Sequence, residues 1–129
     1  MQTWPAPLDN DRLEALSAVD LARVHVSSAV ADDRRTREAG TRARVACRLC
    51  LRMLAAAATG WPEGRRLSGR MRALCELIEQ HAQAGIALSD AVRDGDTEDR
   101  RVAVVDLLAV LADLGFYLDV LGRNWPGEI

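Results

Sequence analysis

Lysine is absent from this 129-residue chain; all 17 of its basic side chains are arginine. That bias fits either selection for bidentate anion contacts or, beside abundant Ala, Val, Leu, Gly and Asp, a GC-rich coding bias. Cysteine is scarce and odd in number, three residues without framework spacing, which excludes a disulfide scaffold and sets the default at a reducing, cytoplasmic location. No charged, apolar, small-residue leader precedes the first helical segment. Strand-period alternation, internal repeats and low-complexity tracts beyond Ala55 to Ala58 are missing as well, so a single all-α domain is expected. Nucleophile elbows, phosphate-cradling glycine loops and HExxH are absent, and so is the paired Glu-x-x-His pattern of di-iron bundles. No cofactor is implied.

What is present is helical periodicity. The stretch Val102 to Gly122 is too apolar for a surface: Val104, Leu107, Leu108, Leu111, Leu114, Leu118 and Leu121 form one broad face, flanked by Val105, Ala112 and Gly115. Asp106, Asp113 and Asp119 interrupt it, and a carboxylate at bilayer depth costs several kcal/mol, so this is a core helix and not a membrane span. Three further amphipathic segments precede it. Helices are expected over about residues 9–31, 35–59, 62–94 and 97–122, with Asp9 and Asp96 as N-caps. The third starts either at Pro62 or after a Ser68 cap. Between the first two, a tight turn near Asp32 to Arg34 competes with a longer loop reaching Gly40. Short connections favour antiparallel neighbours, hence an up-down-up-down four-helix bundle. Such periodicity is shared by too many unrelated proteins to single out a family.

The net charge of −2 hides a division along the chain. Residues 1–33 carry six acids and two arginines, residues 34–72 eleven arginines and two acids, and residues 73–129 eleven acids and four arginines. Such asymmetry marks an anion-binding surface or a segment satisfied by its acidic neighbours inside the bundle. Arg44, Arg48 and Arg52 stack at i, i+4, i+8 on the second helix, and like charges so placed oppose one another. Glu76, Glu79 and Asp90 on the third helix, or Asp99, Asp106 and Asp113, seven apart on the fourth, can meet them within the bundle or between two copies. No aromatic is interleaved with the arginines and no helix-turn-helix is evident, which argues against nucleic acid.

Four groups of residues are candidates for function. Trp4, Trp61 and Trp125 are each followed by proline and should gather at one end of the bundle, either as a plug or as an aromatic patch that docks a partner. Cys47 and Cys50 form a CxxC, but in mid-helix on the apolar stripe; counted outward from the turn near Trp61, Cys75 comes out level with Cys47, so the three make a weak metal candidate beside the simpler reading of buried apolar cysteines. His81 interrupts the apolar line Met71, Leu74, Leu77, Ile78, Gly85, Leu88, Val92 of the third helix and needs a polar partner. With Asp113, Tyr117 or His25 it would serve as acid/base or metal ligand; otherwise it is a satisfied core histidine. The arginine ridge is the fourth. Because every polar motif is weak while apolar surface on the first and fourth helices exceeds what one small bundle needs, the leading expectation is a non-catalytic interaction protein. It would be a homo-oligomer or bind a protein partner, with no membrane role; an enzyme or ligand-binding bundle around His81 is the alternative.

Overall fold

The computed structural model describes residues 6–29, 32–60 and 69–123. They form four helices, α1 (Ala6–Ser28), α2 (Asp33–Gly60), α3 (Gly69–Asp94) and α4 (Thr97–Arg123), with no strand among the described residues. Each helix packs along its sequence neighbour, and α1 closes the ring against α4. The expected antiparallel bundle is therefore observed, with α1 facing α3, and α2 facing α4, only across the diagonal.

The core follows the helical stripes. Val104, Leu107, Leu111, Leu114, Leu118 and Leu121 of α4 are buried against Val19, Ala22 and Val26 of α1, Ala43, Cys47, Cys50 and Met53 of α2, and Met71, Ile78 and Val92 of α3. Small residues set the α2–α3 distance. A methyl at Gly85 would run into the Cys47 sulfur, and one at Gly40 would stand 3.0 Å from the Ser89 carbonyl and 3.1 Å from the Arg93 nitrogen. Gly40 is thus not a loop residue but a helical one, whose missing side chain admits the neighbouring backbone.

The α1–α2 connection is the short alternative. The Asp32 carboxylate accepts from the Arg34 and Arg35 amides and caps α2. Thr36 Oγ1 lies 2.6 Å from the Ala29 carbonyl and 2.8 Å from that of Asp32, so its one proton ties the end of α1 to the start of α2. Asp96 caps α4 through the Asp99 amide at 2.9 Å. Asp9, in contrast, is not an N-cap: α1 begins at Ala6, and Asp9 sits in its first turn accepting from Arg12. Both starts considered for α3, Pro62 and Ser68, lie outside the described residues.

Candidate functional site

The expected buried line of α3 is turned by part of a helical step. Its centre runs through Met71, Ile78, Ala82, Gly85, Ser89 and Val92, which leaves Leu77 exposed and moves His81 to the α3–α4 edge. His81 is therefore not a core histidine; its side chain keeps 24% of its accessible surface. Nδ1 donates to the Leu77 carbonyl at 2.8 Å. That bond fixes the ring, and Nε2 then faces Asp113 Oδ2 at 3.5 Å. Tyr117 meets the imidazole edge to face, with centroids 5.1 Å apart and planes at 80°. His81, Asp113 and Tyr117 thus come together as expected, and His25 does not join them, since it lies on α1 across the diagonal. The arrangement can hold or pass a proton at Nε2. No group of three or more metal-binding side chains is found among the described residues.

The structure also sets Cys75 apart from Cys47 and Cys50, which stay together in the core of α2. Cys47 lies against Gly85, and Cys75 is ten residues earlier on α3, roughly 15 Å along its axis at 1.5 Å per residue. The expected level match between Cys47 and Cys75 fails because it was counted from a turn near Trp61, whereas α2 runs to Gly60 and the described part of α3 starts only at Gly69. Burial pushes the Cys47 and Cys50 thiols up to about 12 and that of Cys75 to about 11. At neutral pH these are packed thiols, not nucleophiles. Trp4, Trp61 and Trp125 lie outside the described residues.

The arginine ridge divides. Arg44 Nε faces Asp90 Oδ1 on α3 at 3.1 Å, out of line for a hydrogen bond; Asp90 is also approached by Arg93 at 3.5 Å. Arg48 and Arg52 are exposed, and no ion pair joins them to a carboxylate among the described residues. On α4, Asp113 reaches His81, while Asp99 and Asp106 are exposed without an ion pair among the described residues. Within the bundle the ridge therefore meets the acids of α3 through Arg44 and Asp90 but not the aspartates of α4, because α2 and α4 are diagonal.

One buried charge was missed from the sequence. Arg100 is only 5% exposed. Its Nε donates to the Val92 carbonyl at 3.0 Å, its Nη2 to that of Gly95 at 2.8 Å, and its Nη1 lies 3.0 Å from Asp33 Oδ1. The guanidinium thereby caps the C-terminal end of α3 and holds it to the N-terminal end of α2. The signal was available: Arg100, Val104, Leu107 and Leu111 share one stripe. Beside this knot opens a cleft of about 500 Å³, with Thr97 and Arg101 at its polar side and Val104, Val105 and Leu108 at its apolar side.

Comparison with protein-family models, with curated proteins and with solved structures finds no match for this chain. Function has to be argued from its surfaces. Among the described residues no helix is long and apolar enough to cross a membrane.

Proposed function

We propose that this protein is a small, non-catalytic interaction module that assembles with a second copy of itself. The observation that carries the reading is the outer side of α4. A helix that is apolar all round belongs in an interior, and α4 is apolar outward as well as inward: Val102, Val105 and Phe116 are 61%, 67% and 61% exposed, with Ala109 between them. Single exposed apolar residues need no explanation; a line of them on the most apolar helix of a bundle marks a surface to be covered. The unpaired acids and arginines on diagonal helices add charge that a partner can answer. The His81–Asp113 pair favours a catalytic reading, but it stands at the solvent-exposed α3–α4 edge and has neither a nucleophile nor a metal set beside it among the described residues.

Light scattering after gel filtration tests this. The expected particle at tens of micromolar protein has twice the chain mass, and its melting temperature rises with protein concentration. A monomer at every concentration, with a melting temperature that does not change, overturns the reading.

A further inference from the structure

Resting on that reading, we infer which face assembles and how: two copies meet through the side of the bundle centred on α3, related by a two-fold axis parallel to the helices, so that the arginines of α2 in each copy face the aspartates of α4 in the other.

Three observations carry this. The first is register. Cys47, Gly85 and Val110 touch in sequence across α2, α3 and α4 and so share one level. Arg44 with Asp90 occupies another level, and Asp90 and Asp106 line the same α3–α4 groove. Arg37 precedes Arg44, and Asp99 precedes Asp106, by the same two turns, so Arg37 is level with Asp99. At the far end His81 joins Asp113, nine residues before Asp90 on α3, which brings Arg52 level with Asp113. Thus α2 and α4 run in the same direction with Arg37, Arg44 and Arg52 at the heights of Asp99, Asp106 and Asp113.

The second is symmetry. An axis parallel to the helices preserves height and exchanges the two flanks of α3, so it sets each α2 against the partner's α4 twice over, as an isologous interface requires. An axis across the helices would instead set arginines on arginines and aspartates on aspartates. Arg44 already holds Asp90 and Arg52 lines the α1–α2 groove with Asp11 and Glu14, so the contacts fall to Arg37 and Arg48 against Asp99, Asp106 and Asp113. Arg37 also acts on Asp94, whose carboxyl is held below its ordinary value chiefly by a hydrogen bond from Arg93, with charge from Arg93, Arg37 and Arg44 added.

The third is shape. The outward line of α3 is mostly small: Ala73, Ala84 and Ala87 are exposed and Ala91 is half-buried, with Gln80 as the exposed polar side chain between them. Two α3 helices can approach closely there, with Leu77 of α3 and, in the α3–α4 groove, Val102 of α4 as exposed apolar groups beside them. A groove of about 600 Å³ floored by Leu88, Ala91 and Ala103 lies beside the acids. A foreign basic helix would also match those acids, but it would leave the arginines of α2 unanswered; a second copy answers both.

Charge reversal tests the arrangement. Arg37→Glu with Arg48→Glu, and separately Asp99→Arg with Asp113→Arg, should each raise the dimer dissociation constant on the order of tenfold or more, because like charges then face each other. Circular dichroism of both should match the parent, since all four side chains are exposed. Mixing the two variants in equal amounts should restore a dimer, because the reversed α2 of one then faces the reversed α4 of the other. If the parent dimerises and the variants do so equally well, or both weaken and the mixture stays monomeric, this arrangement is overturned while self-association stands. A monomeric parent overturns both.

Discussion

Replacing Arg100 should cost far more than replacing its acidic partner. Arg100→Met keeps most of the aliphatic stem but removes the donors to the Val92 and Gly95 carbonyls. A hydrogen bond from a charged donor contributes roughly 1.5–3 kcal/mol, and a buried carbonyl left without a donor bears a desolvation penalty of about 1–3 kcal/mol. The hydrogen bond to the Gly95 carbonyl is only part-buried and Gly95 lines the open α3–α4 groove, so water can replace the lost donor there, and removing a buried charge returns its own desolvation cost. A net loss of about 2–4 kcal/mol follows. Asp33→Asn removes the ion pair alone, and with the Asp33 side chain 74% exposed that contact is solvent-screened and contributes about 0–1 kcal/mol. Urea unfolding followed at 222 nm measures both, and hydrogen exchange should show the last turn of α3 losing protection in Arg100→Met first. If Asp33→Asn is as damaging as Arg100→Met, the pair and not the carbonyl capping holds the knot. If Arg100→Met loses under 0.5 kcal/mol, water replaces the guanidinium without penalty and the reasoning fails.

Two further outcomes follow from the α2–α3 contact. Gly85→Ala should destabilise by about 1–3 kcal/mol through overpacking against the Cys47 sulfur, whereas in a Cys47→Ala background it should be neutral or stabilising, since alanine exceeds glycine by about 1 kcal/mol in a helix interior; additive effects in a urea double-mutant cycle would contradict the contact. The raised thiols of Cys47 and Cys50 predict alkaline weakening. Above about pH 9 the unfolded chain releases these protons while the folded chain retains them to about 12, so stability is intact below pH 9 and falls as pH rises between these values, by about 1.4 kcal/mol per pH unit for each thiol. Cys47→Ala should flatten that slope in denaturant titrations at pH 9 to 11, and an unchanged slope would show that the thiols are not protected.

The fold was legible because periodicity encodes burial. The leucines of α4, the valines and alanines of α1 and the cysteines of α2 all fall where 100° per residue places them. What failed was phase and level. Leu77 and His81 were read into the core because they stand one step from Ile78 and Ala82, and in a helix rich in alanine and glycine the large side chains do not mark the centre of the buried face: small residues do, where a neighbour comes close. Counting levels from a turn at Trp61 sets Cys75 level with Cys47, and an error of about five residues in the centre of that connection becomes an error of about ten residues, nearly three turns, in register. Arg100 was overlooked because its charge seemed to disqualify a position that the stripe itself indicated. The His81–Asp113–Tyr117 cluster is legible because α3 ends at Asp94 and α4 starts at Thr97, so a level count across that short connection is accurate to about a turn, and the i, i+4 relation of Asp113 and Tyr117 then sets both beside His81.

The charge pattern shows why topology, and not composition, decides what a basic segment does. Read along the chain, the arginines of α2 sit between acidic stretches, and neutralisation inside the bundle is the economical outcome. The bundle grants it only to helices that touch: Arg44 finds Asp90 on the adjacent α3, and Asp33, itself on α2, finds Arg100 at the start of α4 only because both lie at one end of the molecule. Along its length α2 is diagonal to α4, so Arg48 and Arg52 have no access to Asp106 and Asp113 however well the seven-residue spacings agree. Exposed pairs contribute about 0–1 kcal/mol each and are screened within roughly 8–10 Å at physiological salt, so folding hardly registers whether these charges are matched. Association does register it, because a like-charged wrong partner, or the right partner about the wrong axis, brings repulsion that nothing else in the contact relieves. Separation on diagonal helices keeps the two rows from neutralising each other within one chain, and it leaves them available, at matching heights, to choose a partner and its orientation.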